Sequence, residues 1–453
     1  MNLQPTQKRG KRPFFVFKLA KISLTSRRLG DLDKKNSEKI YQGLESDLLV
    51  KASDMDYLHR AGRFVQQTTG YKAFIPAPLP PDPPLAYSGE LQTLLSEADR
   101  NIGRLDALAS MLPNPDLFVA MYVRHEAVLS SQIEGTQSTL EDVLAFEADA
   151  LRDDTPKDVE EVVNYVRAMN HGLERLPDLP LSLRLLREIH GELMKGVRGG
   201  EKSPGEFRTS QNWIGGRGST LRDASFIPPP PHELMNVLGQ LENFLHAERT
   251  RVPLLIRCGL AHAQFETIHP FLDGNGRVGR LLITLMLCEE RALSRPLLYL
   301  SLFLKAHRAE YYDRLTAIRT QGHWEQWLMF FLRGVSTTAL AATQTAKDIV
   351  ALRDAHRRDV AKNAKALTLL DHLFRYPTVS VNSVAKLMGC TFPTAAKLVA
   401  DFESRSWLFE VTGQERNRLW RYKPYLNLFH RETMDAMVSV GSTGTGSTLV
   451  TGG

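Results

Sequence analysis

The chain has 453 residues, 43% apolar and 24% charged, which excludes a disordered or membrane-embedded class and suggests two or three globular domains. A net charge of +6 permits contact with nucleic acid or nucleotide but does not demand it. The three cysteines, Cys258, Cys288 and Cys390, are too far apart for a zinc clip and odd in number, which argues against a disulfide framework and for a reducing, cytoplasmic setting. No membrane partner is expected, because the apolar run Leu281–Leu287 is too short to span a bilayer.

The first thirty residues hold Lys8, Arg9, Lys11, Arg12, Lys18, Lys21, Arg27 and Arg28 and no acidic residue. A targeting sequence is one reading. A disordered arm or upstream extension is preferred, since no small-residue cleavage site follows a proper apolar core. Residues 75–84 are rich in proline and cannot be helical. From Ser88 onward, Leu91, Leu94, Leu95, Ala98, Leu105 and Leu108 recur at three- and four-residue steps and predict a helix. A second helix is expected over Asp116–Glu134, ended by Gly135, with Ser138 and Glu141 as the capping box of the next. Helices follow at Val159–Leu173 and Leu181–Lys195.

Residues 204–231 break this rhythm. Trp213-Ile214-Gly215-Gly216 and Ser225-Phe226-Ile227 flank a glycine-rich turn and read as a β-hairpin, stopped by Pro228–Pro231. Helices resume at His232–His246, Leu254–Ile268, Arg277–Glu290 and Trp324–Leu352. Beyond residue 364 come helices at Ala364–Phe374 and Val381–Met388, a third after Phe392-Pro393, and a hairpin of Trp407–Val411 with Arg418–Tyr422. That order is the order of a winged helix-turn-helix. The Gly/Ser/Thr-rich tail after Val438 reads as flexible.

The chemistry concentrates in residues 269–280. Pro270 disfavours helical geometry at His269. Gly274 and Gly276 let the backbone turn and bring its amides close to a ligand, and the helix that starts there offers an anion site. Arg277 and Arg280 stand in its first turn, where cations oppose the helix dipole. A bound polyphosphate would relieve that conflict. Asp273 could hold Mg2+ beside phosphate oxygens, and His269 could take a proton near neutral pH. Singly, each residue has an ordinary structural explanation; jointly they read as a phosphate cradle, a metal carboxylate and a base. No Walker-type sequence is present. His262, Glu266 and His269 could also begin a di-metal centre, but no second Glu-x-x-His completes it.

His-x-Phe-x-Asp-Gly-Asn-Gly-Arg-x-x-Arg resembles the signature of the Fic (Fic/Doc) family at every fixed position. The resemblance implies a helical Fic core that transfers AMP from Mg-ATP to a protein hydroxyl. His269 would be the base, Asp273 the metal ligand, Gly274, Asn275 and Gly276 the phosphate cradle, and Arg277 and Arg280 the binders of distal phosphates. The segment from Gly205-Glu206-Phe207-Arg208 to Ile227 resembles the family's flap, which aligns the target as an added strand; Trp213, Ile214, Gly215 and Ile227 would dock it. Tyr311-Tyr312 resembles a pair near the nucleoside pocket, with Tyr311 as the expected contact; core packing is the alternative. Ser130-Ser131-Gln132-Ile133-Glu134-Gly135 resembles the family's inhibitory motif, so Glu134 would pair with Arg280, with Ser130 and Gly135 completing the motif.

The expected fold is mainly α: a Fic-type helical core with a β-hairpin flap, plus a small winged helix-turn-helix domain. The divisions are a basic extension (1–70), a helical N-terminal domain (71–175), a catalytic core (176–340), a linker helix (341–363), the winged-helix module (364–430) and a flexible tail (431–453). ATP and Mg2+ are the expected cofactors. A protein substrate and the chain itself, by auto-modification and as a homodimer, are the expected partners. A DNA-binding regulator is the competing class: the recognition helix carries only Lys397, but Arg416, Arg418 and Arg421 on the wing could meet phosphates.

Overall fold

The computed structural model describes residues 59–443 except 112–114, 149–155, 198, 217 and 248–251. The basic segment 1–30 and the Gly/Ser/Thr-rich end beyond 443 lie outside the described residues.

Two short strands, β1 (Gly62–Gln66) and β2 (Lys72–Pro76), pair antiparallel, with Gly62 opposite Pro76. The boundary expected at residue 70 therefore falls inside a hairpin, and residues 62–66 do not belong to a separate extension. Phe74, fully buried in this hairpin, ties it to the body of the protein.

The body is helical: α1 (Gly89–Met111), α2 (Pro115–Ile133), α3 (Leu140–Glu147), α4 (Val159–Arg175), α5 (Leu183–Leu193), α6 (Pro231–His246), α7 (Leu254–Ile268), α8 (Asn275–Glu289), α9 (Ser301–Ala306), α10 (Arg308–Gln321) and α11 (Trp324–Asp359). Its centre is α7, buried at every position from Leu255 to Ile268. Its polar members Arg257, His262, Gln264 and Glu266 are buried along with the apolar ones, because neighbours cover the helix on all sides. Gly259 lets α11 approach: a Cβ there would stand 2.8 Å from Leu328, and Trp327 donates its indole N–H to the Gly259 carbonyl at 2.9 Å. Helix α8 returns against α7, α4 lies between α2 and α5, and α11 runs along α1.

Three expectations shift in detail. The capping box of α3 is Thr139 with Asp142, one residue past the expected pair. Ser138 is buried and hydrogen-bonded to Asp158, so its hydroxyl is not free to cap. Helix α8 begins at Asn275, two residues early. Among the described residues the flap hairpin pairs through a single antiparallel bridge, Ile214 with Phe226, and prolines 228–231 lack the N–H groups that would extend it beyond Ile227.

The C-terminal part holds α12 (Ala364–Arg375), β3 (Thr378–Ser380), α13 (Val381–Met388), α14 (Phe392–Ser404), β4 (Leu408–Glu410) and β5 (Leu419–Tyr422), with sheet order β3-β5-β4. Helix α15 (Lys423–Thr443) then crosses the boundary expected at 430. Its buried Tyr425, Leu426, Phe429 and Glu432 keep helical spacing and carry it onto α11 and the back of α2. There Phe429 packs edge-on to Tyr122, and Thr433 is 3.1 Å from His125.

Candidate active site

The α7–α8 connection places the residues of the 269–280 motif around one turn. Helix α7 ends at His269, whose backbone is left-handed (φ 49, ψ 62) and whose N–H still bonds to the Phe265 carbonyl at 2.9 Å. A non-glycine residue in that region is strained and needs surroundings that hold it. They are present. The buried Arg208 donates to the His269 carbonyl at 3.0 Å, the Ile268 carbonyl at 3.4 Å and the Pro229 carbonyl at 2.6 Å. The Asn212 amide donates to the carbonyls of His269 (3.1 Å) and Phe271 (2.9 Å). Phe271 is fully buried and stacks on His190 with centroids 3.8 Å apart. His190 accepts from the Gly205 N–H at Nδ1, which leaves Nε2 to donate to the Asp273 carbonyl at 3.1 Å.

Helix α8 then starts from Gly274, itself left-handed (φ 74), and no side chain caps it. Its first amides therefore face outward as donors without a built-in acceptor. The Asn275 side chain points inward instead: it accepts from the Phe271 N–H and donates to the Phe271 carbonyl, both at 2.8 Å. Its side-chain amide thereby locks the loop. Gly276 lies under the Glu134 carboxylate; a Cβ there would meet Glu134 Oε1 at 2.1 Å.

The two arginines are buried and paired with acids from α2 and α4. Arg280 donates to Glu134 at 2.7 Å, to the Ser130 hydroxyl at 2.7 Å and to the Ser130 carbonyl at 3.0 Å. Gly135 (φ 99) ends α2 just beyond Glu134. Arg277 lies 3.4 Å from Glu161 and 3.7 Å from Asp273. Asp273 also accepts from its neighbour's N–H at 2.7 Å and from Lys202 at 3.1 Å. Burial would raise the Glu134 pKa, but the charge and hydrogen bond of Arg280 outweigh it and hold the carboxylate below its usual range. His269 moves the other way from its ordinary value: burial first, then the charges of Arg319 and Arg208, push it down to about 4. Its Nδ1 is buried without a partner.

Tyr311 does not reach this site. It is 1% exposed, and its hydroxyl bonds to His262 Nε2 at 2.9 Å. His262 in turn gives its Nδ1 proton to the Gly279 carbonyl at 2.8 Å, so Tyr311 and His262 are joined in one buried hydrogen-bond chain. Tyr312 is the exposed member of the pair. On the flap, Trp213 is exposed, Ile214 makes the bridge, Gly215 packs against Ser219, and the Ile227 carbonyl accepts from Phe74. Sequence reading missed Glu161, His190, Lys202, Asn212 and Arg319. Their partners lie far away in sequence, and no local pattern marks them. Arg208 stood in the run assigned to the flap; its clamp on the catalytic turn was not legible there.

Residues 92–174 match the Fic/DOC family N-terminal domain, and residues 180–287 match the Fic/DOC family domain. Over these two stretches the chain is similar to the Fic/DOC family. Both matched stretches contain what the site uses: Ser130, Glu134 and Glu161 in the first, and Arg208 with the whole of residues 269–280 in the second. The chain is 36% identical over 136 residues to the "Protein adenylyltransferase Fic" of Culex quinquefasciatus, covering 30% of this chain and 24% of that one. It is 30% identical over 183 residues to a "Probable protein adenylyltransferase" of Aquifex aeolicus, covering 39% of this chain and 51% of that one. The chain thus spans between a quarter and a half of these relatives. Among solved structures, a Fic family protein from Desulfovibrio desulfuricans G20 aligns over 75% of this chain and 97% of its own, at 22% identity and a TM-score of 0.49.

Proposed function

We propose that this protein transfers AMP from Mg-ATP to a Ser, Thr or Tyr hydroxyl of a protein target and of itself, and that Glu134 holds it idle. The observation that carries the reading is the uncapped N-terminus of α8, set between a histidine with an unpartnered ring nitrogen and two buried arginines. Open helix amides and arginines suit a polyphosphate. The names of the similar proteins support AMP as the transferred group.

The target hydroxyl oxygen attacks the α-phosphorus and forms the new O–P bond. The bond from that phosphorus to the bridging oxygen breaks, and pyrophosphate leaves with the electron pair. The hydroxyl proton passes to His269. A His269 pushed down to about 4 is neutral at pH 7 and ready to accept, and phosphate charge arriving beside it raises its basicity. Arg277 and Arg280 would bind the distal phosphates. Asp273, half exposed beside these donors, fits a Mg2+ ligand, with Lys202 as the competing cation. Bound Mg2+ would neutralise phosphate charge.

The Glu134 carboxylate engages Arg280 and overlies Gly276, where a phosphate would need both. A γ-phosphate kept off Arg280 leaves the α-phosphate out of line with the attacking oxygen. With labelled ATP, Glu134→Gly should raise auto-modification at least tenfold, and adding His269→Ala should abolish it while ATP still binds. No gain in the first variant would remove Glu134 as the brake. Persistent labelling in the second would remove His269 as the base.

A further inference from the structure

We propose that Arg319 is a positioning residue that sets the flap in register with His269, so that one guanidinium fixes where the target strand lies relative to the base. The proposal rests on the transferase reading above.

One backbone donor is missing just beyond the end of α7. In an α-helix the carbonyl of residue 266 would bond to the N–H of residue 270, but residue 270 is proline and has none. The last turn of α7, which carries His269, is thus left with unsatisfied carbonyls inside the core. Arg319, 8% exposed near the end of α10, reaches across. Its NH2 group donates to the Glu266 carbonyl at 3.3 Å and its Nε donates to the Thr267 hydroxyl at 3.1 Å. A cation at a helix C-terminus also meets the favourable end of the dipole.

The same guanidinium lies over the Phe226 ring, 3.9 Å from its centroid. Phe226 is the residue that closes the flap: its N–H and carbonyl both bond to Ile214, at 3.1 and 2.8 Å. Phe226 also packs on Phe74 of β2, and the next residue's carbonyl, Ile227, accepts from the Phe74 N–H. One side chain therefore grips the turn that holds the base with its N–H groups and the flap's only bridge among the described residues with its face. A planar fork that stacks and donates at once is something arginine does and lysine does not. An added target strand takes its register from the flap backbone, so a slip of Phe226 displaces the attacking hydroxyl from His269.

The charge of Arg319 has a second effect that a merely structural contact would lack. The charged groups facing His269 are Arg319 from α10, Arg208 from the start of the flap segment and Glu134 from the end of α2. Arg319 is the larger of the two cationic influences that disfavour the protonated ring. Its loss should let the ring hold its proton to higher pH.

The test uses the full chain with Glu134→Gly as the active parent. Arg319→Gln should slow auto-modification about ten- to a hundredfold, leave ATP affinity within about twofold, and move the His269 titration, followed by NMR of labelled histidine, upward. Arg319→Lys keeps the charge but loses the stack; it should slow transfer with the titration close to the parent. Phe226→Leu should behave as Arg319→Lys does. A folded Arg319→Gln protein with parental rate and parental His269 titration overturns the proposal. So does a loss of ATP affinity as large as the loss of rate. Should Arg319→Gln fail to fold, parental rates in both other variants overturn it equally. If the Glu134→Gly parent itself transfers no label, the transferase reading fails, while the His269 titration still reports on Arg319.

Discussion

The two ends of the motif turn are held by different chemistry. At His269 the grip is arginine and asparagine on main-chain carbonyls: Arg208, Asn212 and Arg319 on residues 266–271. At Arg277 and Arg280 it is carboxylates on guanidiniums, from Glu161 and Glu134. Carbonyl acceptors do not titrate and cannot leave without unfolding the turn. A carboxylate can be displaced by a competing anion, and Glu134, with 36% of its side chain exposed, is open to one. The front of the site is therefore permanently set and the rear is releasable. Phosphate chemistry governed by an occupant of Arg280 needs that asymmetry.

Breaking the front should have the largest effect. Arg208→Ala strips charged donors from the carbonyls of Pro229, Ile268 and His269 and leaves them buried. At about 1.5–3 kcal/mol for each such bond, partly offset by Asn212, the loss should be ~3–5 kcal/mol. Denaturant melts measure it, and a loss below about 1 kcal/mol would show that the turn holds its own geometry.

Acid should act next. His125 is pushed down to about 3, and His190, His262 and His269 to about 4, in each case chiefly by burial. A histidine whose folded pKa is depressed contributes stability that is complete above its unfolded value and is lost as pH falls toward the folded value. Glu126 and Glu266 oppose this, since burial raises both to about 7; their contribution is present below the unfolded value and is lost as pH rises through 7. Near pH 5.5, four histidines against two carboxyls leave about two more protons on the unfolded chain, a slope of ~2–3 kcal/mol per pH unit. Thermal melts between pH 7 and pH 4.5 should show Tm falling with pH over that window. A flat profile would mean the histidines charge without cost in the folded state.

These two effects also show what the sequence could and could not reveal. The loop was legible because its chemistry is contiguous: three glycines, two arginines and a His-Pro pair within twelve residues. Glu134 was legible because an acid before a helix-ending glycine is locally out of place. The clamps were not, because Arg208, Asn212 and Arg319 have no local oddity and act on partners some 50 to 60 residues away in the chain. The lock that Asn275 makes on Phe271 was not legible either, since a motif position does not say which way a side-chain amide points. Adjacent tyrosines on a helix face different ways, and burial places Tyr311 in the core, the alternative weighed for it, and Tyr312 at the surface. The helical periodicities fared better, because each needs only its own stripe of apolar residues. The flap kept its turn but pairs through one bridge among the described residues.

The smallest stability effect should come from Lys202. Lys202 lies 3.1 Å from Asp273 but is 45% exposed, so the pair is screened and its removal should change stability by less than ~0.5 kcal/mol. Asp273 sits where front and rear meet: its carbonyl is held by His190, and its carboxylate by Lys202 and the more distant Arg277. If that carboxylate belongs to the releasable half, taking away its exposed cation leaves it freer for a divalent ion. Lys202→Ala in the Glu134→Gly background should then reach half-maximal labelling at a lower Mg2+ concentration, with Tm unchanged. A Mg2+ requirement that stays the same or increases would place Asp273 with the fixed front, held by its backbone and indifferent to the charge beside it.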